Sequence, residues 1–483
     1  MQFCAFLFSG GESTAYTGRE RIYTTEREIN RKNIVEVLRK AYAMHCVNAS
    51  EIEYLWNYYK GKQPILGRTK TVRPEICNKI VENRANEIVS FKIGYVFGDP
   101  IQYVGRSSTR RVTKSISDLN ELMRTQSKYA VDREIAEWMM VGGVGYRVVL
   151  PDDSGVVKIA SLDPRKTFVV YSTEMIPRPV LGVSYWLDEK SIPHYSCYTE
   201  TSFFEVFDNR VSETPHGMGA IPIIEYQANN AMLGSFEIVL PLLDALNTIS
   251  SNRVDGVEQF VQAFLKFINC NADEETVSML NEMGAVSVAS QQGLPADVDF
   301  VSAELNQSQV QTLVDYTYQT ILTVCGMPNR NGGSSTSDTG QAVILRDGWS
   351  LAEARAKDTE AIFKKSETEF LKILLKLCRN LAGINLEIKD VSIKFTRRNH
   401  EDILTKSQVL TTMLSEPKIH PLLAFTHCDM FPDPEEAYTM SEEYYKKFQE
   451  GEVNDSTGIT RRQVQRGNDP GRVDGGTGGS NPS

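Results

Sequence analysis

The feature that most constrains this chain is one apolar stripe near its C-terminal half. Leu345, Trp349, Ala352, Ala356, Phe363, Phe370, Leu374, Leu377 and Leu381 recur at helical spacing, which predicts a helix from Thr339 to Leu381. About forty residues in that form would span roughly 60 Å if straight. Gly348 lies inside the pattern, costs about 1 kcal/mol relative to alanine, and predicts a kink.

Two further helices are predicted upstream. Leu240, Leu243, Leu246, Ile249, Val257, Val261 and Phe264 form one stripe over residues 236–264, with Pro241 suiting only the first turn. Val310, Leu313, Val314, Tyr316, Ile321 and Val324 form another over 307–325. Between them, residues 265–306 break the pattern with acidic Asp273-Glu274-Glu275 and strand-like Ala285–Ala289 and Val298–Ser302. Gly326-Met327-Pro328 ends the second helix. A polar loop rich in glycine and serine follows, containing Asn329, Arg330, Asn331, Ser334, Ser335, Thr336 and Ser337.

Residues 28–61 read as two helices, the second opened by a Ser50/Glu53 capping box. Residues 112–141 read as a further helical stretch. The period then shortens. Strand-like runs follow at Tyr146–Leu150, Val156–Ile159, Phe168–Tyr171, Leu181–Trp186, Tyr195–Tyr198, Phe203–Phe207 and Ile221–Tyr226. Residues 384–396 alternate as a strand, 400–450 read as helical, and 451–483 as a disordered tail. The fold class is therefore α+β.

At 483 residues, 41% hydrophobic and 24% charged, the chain can build two or three packed cores. Its net charge of −10 argues against a repressor or polymerase that grips phosphates. Eight scattered cysteines include no C-x-x-C pair, pointing to a reducing cytoplasm. Met1–Phe8 lacks the basic leader and cleavage site of a signal peptide. No apolar run approaches the roughly 18 residues of a membrane span.

Candidate chemistry is sparse. Gly142-Gly143-Val144-Gly145 lacks a following Lys-Ser or Lys-Thr and precedes a strand, so it reads as a tight turn and not as a phosphate cradle. His420, His427, Cys428 and Asp429 fit no zinc spacing. No G-x-S-x-G elbow or H-E-x-x-H occurs. No catalytic residue, cofactor or metal site is read.

The segment 55–103 carries a recognisable pattern. Leu55, Tyr58, Tyr59, Gly61, Gln63, Ile65, Leu66 and Arg68 open it; an amphipathic stretch from Arg73 to Phe91 follows; Gly94-Tyr95-Val96-Phe97-Gly98-Asp99-Pro100-Ile101-Gln102-Tyr103 closes it. Asn78, Ile80-Val81, Ala85, Ile88-Val89 and Ile93 would share a helix face, with glycine stops and a strand at Ile101–Tyr103. Taken alone, this is a helix–turn–strand unit of any α+β protein. It also resembles the start of the portal proteins of tailed double-stranded-DNA bacteriophages, the siphovirus-type family. Further motifs follow in the family's order: His216-Gly217 to Asn230, Pro241–Ser250, Gly326-Met327-Pro328, Thr339-Gly340-Gln341-Ala342 and Asp433-Pro434-Glu435-Glu436-Ala437.

The resemblance implies a ring, typically of twelve subunits, at one capsid vertex, through which DNA is packaged and ejected. It assigns 29–235 with 341–399 to a wing, and 236–264 and 307–327 to two stem helices. Residues 265–306 become a clip, 328–340 a tunnel loop, 341–382 a long kinked helix and 400–450 a crown. Double-stranded DNA would pass the tunnel loop, where Arg330 is the one cation among 329–337; the alternative is a solvated loop. Lys364, Lys365 and Lys372 would line the channel or simply be solvated. Asp273, Glu274 and Glu275 would dock the large terminase subunit and then the head–tail connector. Major capsid and scaffolding proteins are further implied partners, with assembly in the host bacterial cytoplasm and final placement in the virion. The rival readings are a nucleotide-binding enzyme and a monomeric or dimeric helical scaffold.

Overall fold

The structure is a computed structural model that describes residues 18–107, 109–153, 155–261, 264–268, 297–301, 307–329, 348–396, 403–428, 430–431 and 434–449. The chain divides into two compact units, residues 1–399 and 400–483.

In the first unit, helix α1 (Ile34–Tyr59) is continuous where two helices were expected. No glycine or proline interrupts it, and Ile34, Val37, Leu38, Ala41, His45, Ile52, Leu55 and Tyr58 bury one face along its whole length. Ser50 therefore sits mid-helix instead of capping. The predicted amphipathic helix begins later than its pattern: α2 is Arg84–Val96, and residues 77–83 are not helical. Helices α3 (Arg110–Thr125) and α4 (Lys128–Gly142) follow, separated by Ser127 in a left-handed conformation.

The glycine-rich run is a turn, as expected. Gly143 has φ +81° and leads directly from α4 into strand β3 (Val144–Pro151). A Cβ there would stand 1.9 Å from the Met232 carbonyl oxygen, so the site excludes every other residue.

Two short strands, β1 (Ile22–Thr24) and β2 (Gln102–Gly105), precede β3. After it come β4 (Val157–Leu162), β5 (Thr167–Ser172), β6 (Pro179–Leu187), β7 (Pro193–Tyr198), β8 (Ser202–Phe207), β9 (Arg210–Pro215) and β10 (Ile223–Gln227). The largest sheet among the described residues runs β1-β5-β6-β7-β8-β9. It is antiparallel except that β1 lies parallel to β5, Ile22 opposite Val170. Strands β1 and β9 were not anticipated from the sequence. A smaller sheet orders β10-β3-β4. One core packs Ile34, Leu38 and Ala41 of α1 against Phe168, Leu181, Val183 and Phe204.

Helix α5 (Leu240–Val261) begins where Pro241 permits and ends three residues short of the expected Phe264. Phe264 instead opens β11 (Phe264–Ile268), which pairs antiparallel with β12 (Asp297–Val301). Helix α6 (Gln307–Cys325) matches its predicted span. Helix α7 (Trp349–Leu381) starts after Gly348, which has φ +80° at the N-cap. The part of the expected helix before Gly348, residues 339–347, lies outside the described residues. The last predicted strand is shorter than expected: β13 (Val391–Lys394) pairs antiparallel with β2. A large core gathers side chains of α2, α4, α5, α6 and α7, including Val89, Ile135, Leu243, Ile321, Phe363 and Phe370.

The second unit contains α8 (Ile403–Ser415), α9 (Pro421–His427) and α10 (Pro434–Gln449). Phe425 anchors it, 5.2 Å from the Phe431 ring and 5.9 Å from Tyr438. His420 caps α9, its Nδ1 accepting the Leu422 N–H at 3.2 Å. No helix among the described residues is long and apolar enough to cross a membrane. Nor do these residues contain a group of three or more His, Cys, Asp or Glu placed to hold a metal.

Candidate functional site

The region of interest is the α5–α6 helix pair, the start of α7 and the polar elements that fix them. Leu240, Leu243 and Leu246 bury the first half of α5 as predicted. Its second half departs from the apolar stripe: Val257 is 48% exposed, while Asn247, Ser251 and Asp255 are buried. These three stand at i, i+4 and i+8, one above another on a helix face.

Against them lies the extended segment 78–82. The Asn78 N–H donates to Asp255 at 2.7 Å, the Ile80 N–H to the Ser251 hydroxyl at 3.0 Å and the Glu82 N–H to the Asn247 carbonyl oxygen at 2.9 Å. Alternate residues of an extended chain advance about 6.6 Å, and four helical residues advance about 6 Å, so the two repeats match. The segment is a strap sewn to α5 through its own backbone. Arg68 reaches Asp255 at 3.1 Å and Lys70 pairs with the same carboxylate. Burial opposes ionisation of Asp255, but the hydrogen bonds from Lys70 and Asn78 outweigh it and hold the group at about 2.

The base of the predicted tunnel loop is well defined. The Met327 N–H donates to the Leu322 carbonyl at 2.8 Å, and Pro328 is buried. A Cβ on Gly348 would lie 3.8 Å from the Met327 oxygen and from Pro328 Cα, so the two ends that flank residues 330–347 meet. The start of α7 is tied to α2: Trp349 sits 6.1 Å from Phe91 and 5.9 Å from Tyr95, and the Tyr95 hydroxyl donates to Glu353 at 2.9 Å.

Further along α7, Glu367 enters a fully buried charge cluster. It accepts from Arg147 of β3 at 2.7 Å and from Lys128 of α4 at 2.9 Å. The hydroxyls of Tyr103 and Tyr226 also donate to it. Asp132 completes the cluster, pairing with Lys128 at 2.6 Å and with Arg147. Two cations and two carboxylates leave no net charge. Burial penalises the Glu367 carboxylate, yet Arg147 and Lys128 more than offset this and bring it to about 2.

Of the site residues expected from the sequence, Asn329 is half-buried at the loop base. Arg330, Asn331, Ser334, Ser335, Thr336 and Ser337 lie outside the described residues, as do Asp273, Glu274 and Glu275. The three α7 lysines do not act as a set. Lys364 pairs with Glu360 and lies 5.6 Å above the Phe395 ring. Lys365 and Lys372 are exposed, Lys372 pairing with Glu369 at 2.7 Å. At roughly 100° per residue these two share a face with Lys376 and Arg379, and Lys364 is off it. Sequence reasoning missed the charge cluster and the strap. The i, i+4, i+8 polar spacing on α5 was the available signal for the strap.

Comparison with known proteins adds to this geometry. Residues 40–446 match the family model described as phage portal protein, SPP1 Gp6-like. The portal protein of Bacillus phage SPP1 is 20% identical over 456 residues, covering 89% of this chain and 87% of that protein. Among solved structures, the chain resembles one titled "Neck of empty GTA particle computed with C6 symmetry", at TM-score 0.41 and 12% identity, over 72% of this chain and 90% of that one.

Proposed function

Because the chain belongs to the phage portal proteins, SPP1 Gp6-like, we propose that it forms a ring, typically of twelve copies, at one capsid vertex and encloses the channel through which double-stranded DNA is packaged and ejected. The match over residues 40–446 carries this reading. In this reading the chain is a structural conduit with no reaction of its own. Helices α5 and α6 are the stem, and residues 265–306 are the clip that docks the large terminase subunit and later the head–tail connector. Residues 328–340 face the DNA, with Arg330 contacting phosphate, and Lys365 and Lys372 are channel candidates. The wing is 29–235 with 341–399, the crown is 400–450, and capsid and scaffolding proteins are neighbours.

Three features support the assignment. Strands β11 and β12, at the two ends of the segment between α5 and α6, pair antiparallel and so hold those ends together, as a clip inserted between two stem helices requires. The loop flanks meet at Met327 and Gly348, so an eighteen-residue segment can project without separating α6 from α7. The charge cluster and the strap fix α7 and α5 to the remainder of the unit, giving rigid helices for lateral packing.

The deciding experiment is the mass of the purified assembly. A closed multimer of the 54.3 kDa chain with an annular outline is expected; single or paired copies under all conditions would overturn the reading. Deleting residues 329–337 should leave the ring intact and impair DNA packaging. Loss of the ring would make that loop architectural.

A further inference from the structure

Helix α6 presents two unlike surfaces. Leu313, Tyr316 and Val324 are 50%, 68% and 41% exposed, three large apolar side chains on a helix with no lysine, arginine or glutamate. The Tyr316 hydroxyl has no hydrogen-bond partner among the described residues. Beside the same helix lies an open groove of about 340 Å³. Leu246, Val314, Leu322 and Met327 contribute its apolar lining, beside the Arg84 guanidinium and the Gln311 amide. Its rim carries the carboxylates of Glu82, Glu87 and Asp315.

The two surfaces are related by the helix itself. At roughly 100° per residue, Val314, Asp315, Tyr318 and Leu322 fall within an arc of about 100°. Leu313, Tyr316 and Val324 fall within a similar arc on the opposite side. A knob and a groove on opposite sides of one element cannot meet within a single copy. A head-to-tail neighbour brings them together, and the pair then has one knob and one groove left to offer, which propagates until a ring closes.

We propose that the groove receives Tyr316, flanked by Leu313, from the α6 helix of an adjacent copy of this chain. The aromatic ring would cover the apolar part of the lining, and its hydroxyl would donate to one of the carboxylates, a pairing suited to tyrosine at interfaces. Arg84 stacks 4.4 Å from the Tyr318 ring, and Tyr318 donates to Glu87 at 2.8 Å, so the groove wall is already ordered before the neighbour arrives. The inference rests on the ring reading above and specifies which surfaces make the lateral contact.

The test uses two variants of the full chain. Leu313→Asp with Tyr316→Asp removes the knob; Val314→Arg fills the groove with a side chain that Glu82 and Glu87 neutralise. Each alone should need at least about tenfold more protein to assemble, as expected for loss of a buried aromatic anchor. Mixed one to one, they should give a particle of twice the protomer mass and nothing larger, because only one good knob and one good groove remain. Rings from both variants at the wild-type concentration would overturn the knob-and-groove contact while leaving the ring reading intact. Failure of the wild-type chain to form rings would overturn the ring reading itself. Should either variant lose its native circular dichroism, the pair Tyr316→Cys and Glu87→Cys replaces it. Oxidation should yield a ladder of covalent multimers absent from either single variant, and no ladder from assembled rings overturns the contact.

Discussion

Replacing Glu367 by glutamine takes one charge from a buried group of four. Arg147, Lys128 and Asp132 remain, each under 4% exposed, so two cations would face one carboxylate with no water to screen them. Two routes give the magnitude. Removing one partner of a buried ion pair costs about 3–5 kcal/mol. Independently, the Glu367 carboxyl is held at about 2 against an ordinary 4.5, which at 1.36 kcal/mol per unit corresponds to about 3 kcal/mol of stabilisation. Glu367→Gln should therefore lower stability by about 3–5 kcal/mol and the melting temperature by on the order of 5 °C. Urea unfolding of the protomer, followed by far-UV circular dichroism, measures it. Adding Lys128→Met restores neutrality and should recover part of the loss, since paired charges are costly mainly when one partner is stranded. A single-variant loss under about 1 kcal/mol, or a double variant that merely sums the two losses, would refute the claim that charge balance holds α7 in place.

Four further outcomes are expected. His45 is buried, its Nε2 3.2 Å from the Arg165 carbonyl, and burial lowers it from 6.5 to about 4. The unfolded chain takes up this proton and the folded one resists it, so stability is full above pH 6.5 and falls as pH drops toward 4; His45→Gln should flatten that part of a stability-against-pH curve. Below that range Glu367 and Asp255, both held at about 2, lose their contribution as pH falls from about 4.5 toward 2. Ser251→Ala orphans the Ile80 N–H of the strap and should cost about 1–3 kcal/mol, with hydrogen exchange accelerated at residues 78–82. Gly143→Ala should abolish soluble expression or cost well over 2 kcal/mol, because its Cβ would collide with backbone and φ is positive.

Periodicity and punctuation alone located much of this chain. Helix α6 was legible to its ends because its spacing is regular and Gly326-Met327-Pro328 stops it. The meander β5 to β8 was legible because alternation and turn residues recur at short intervals. The turn at Gly143 was legible from its glycines, and the ordered motifs from Leu55 to Ala437 pointed to the family later matched over residues 40–446. These signals are local: each depends on residues a few positions apart.

What only the tertiary structure decided is long-range. The stripe Asn78, Ile80, Ala85 and Ile88 reads as one helix, yet its first part is extended because Asn247, Ser251 and Asp255 offer its backbone partners some 170 residues away. Ser50 is a good helix cap by composition, but the unbroken burial along α1 overrides it. The six side chains at 103, 128, 132, 147, 226 and 367 come from five separate elements, and only Lys128 and Asp132, one turn apart on α4, share a spacing. Local order follows from rotation per residue and from steric limits on each backbone unit, which a short stretch of letters already contains. The partner of a buried polar group is chosen by desolvation, and that cost is defined only once the whole unit has closed around it.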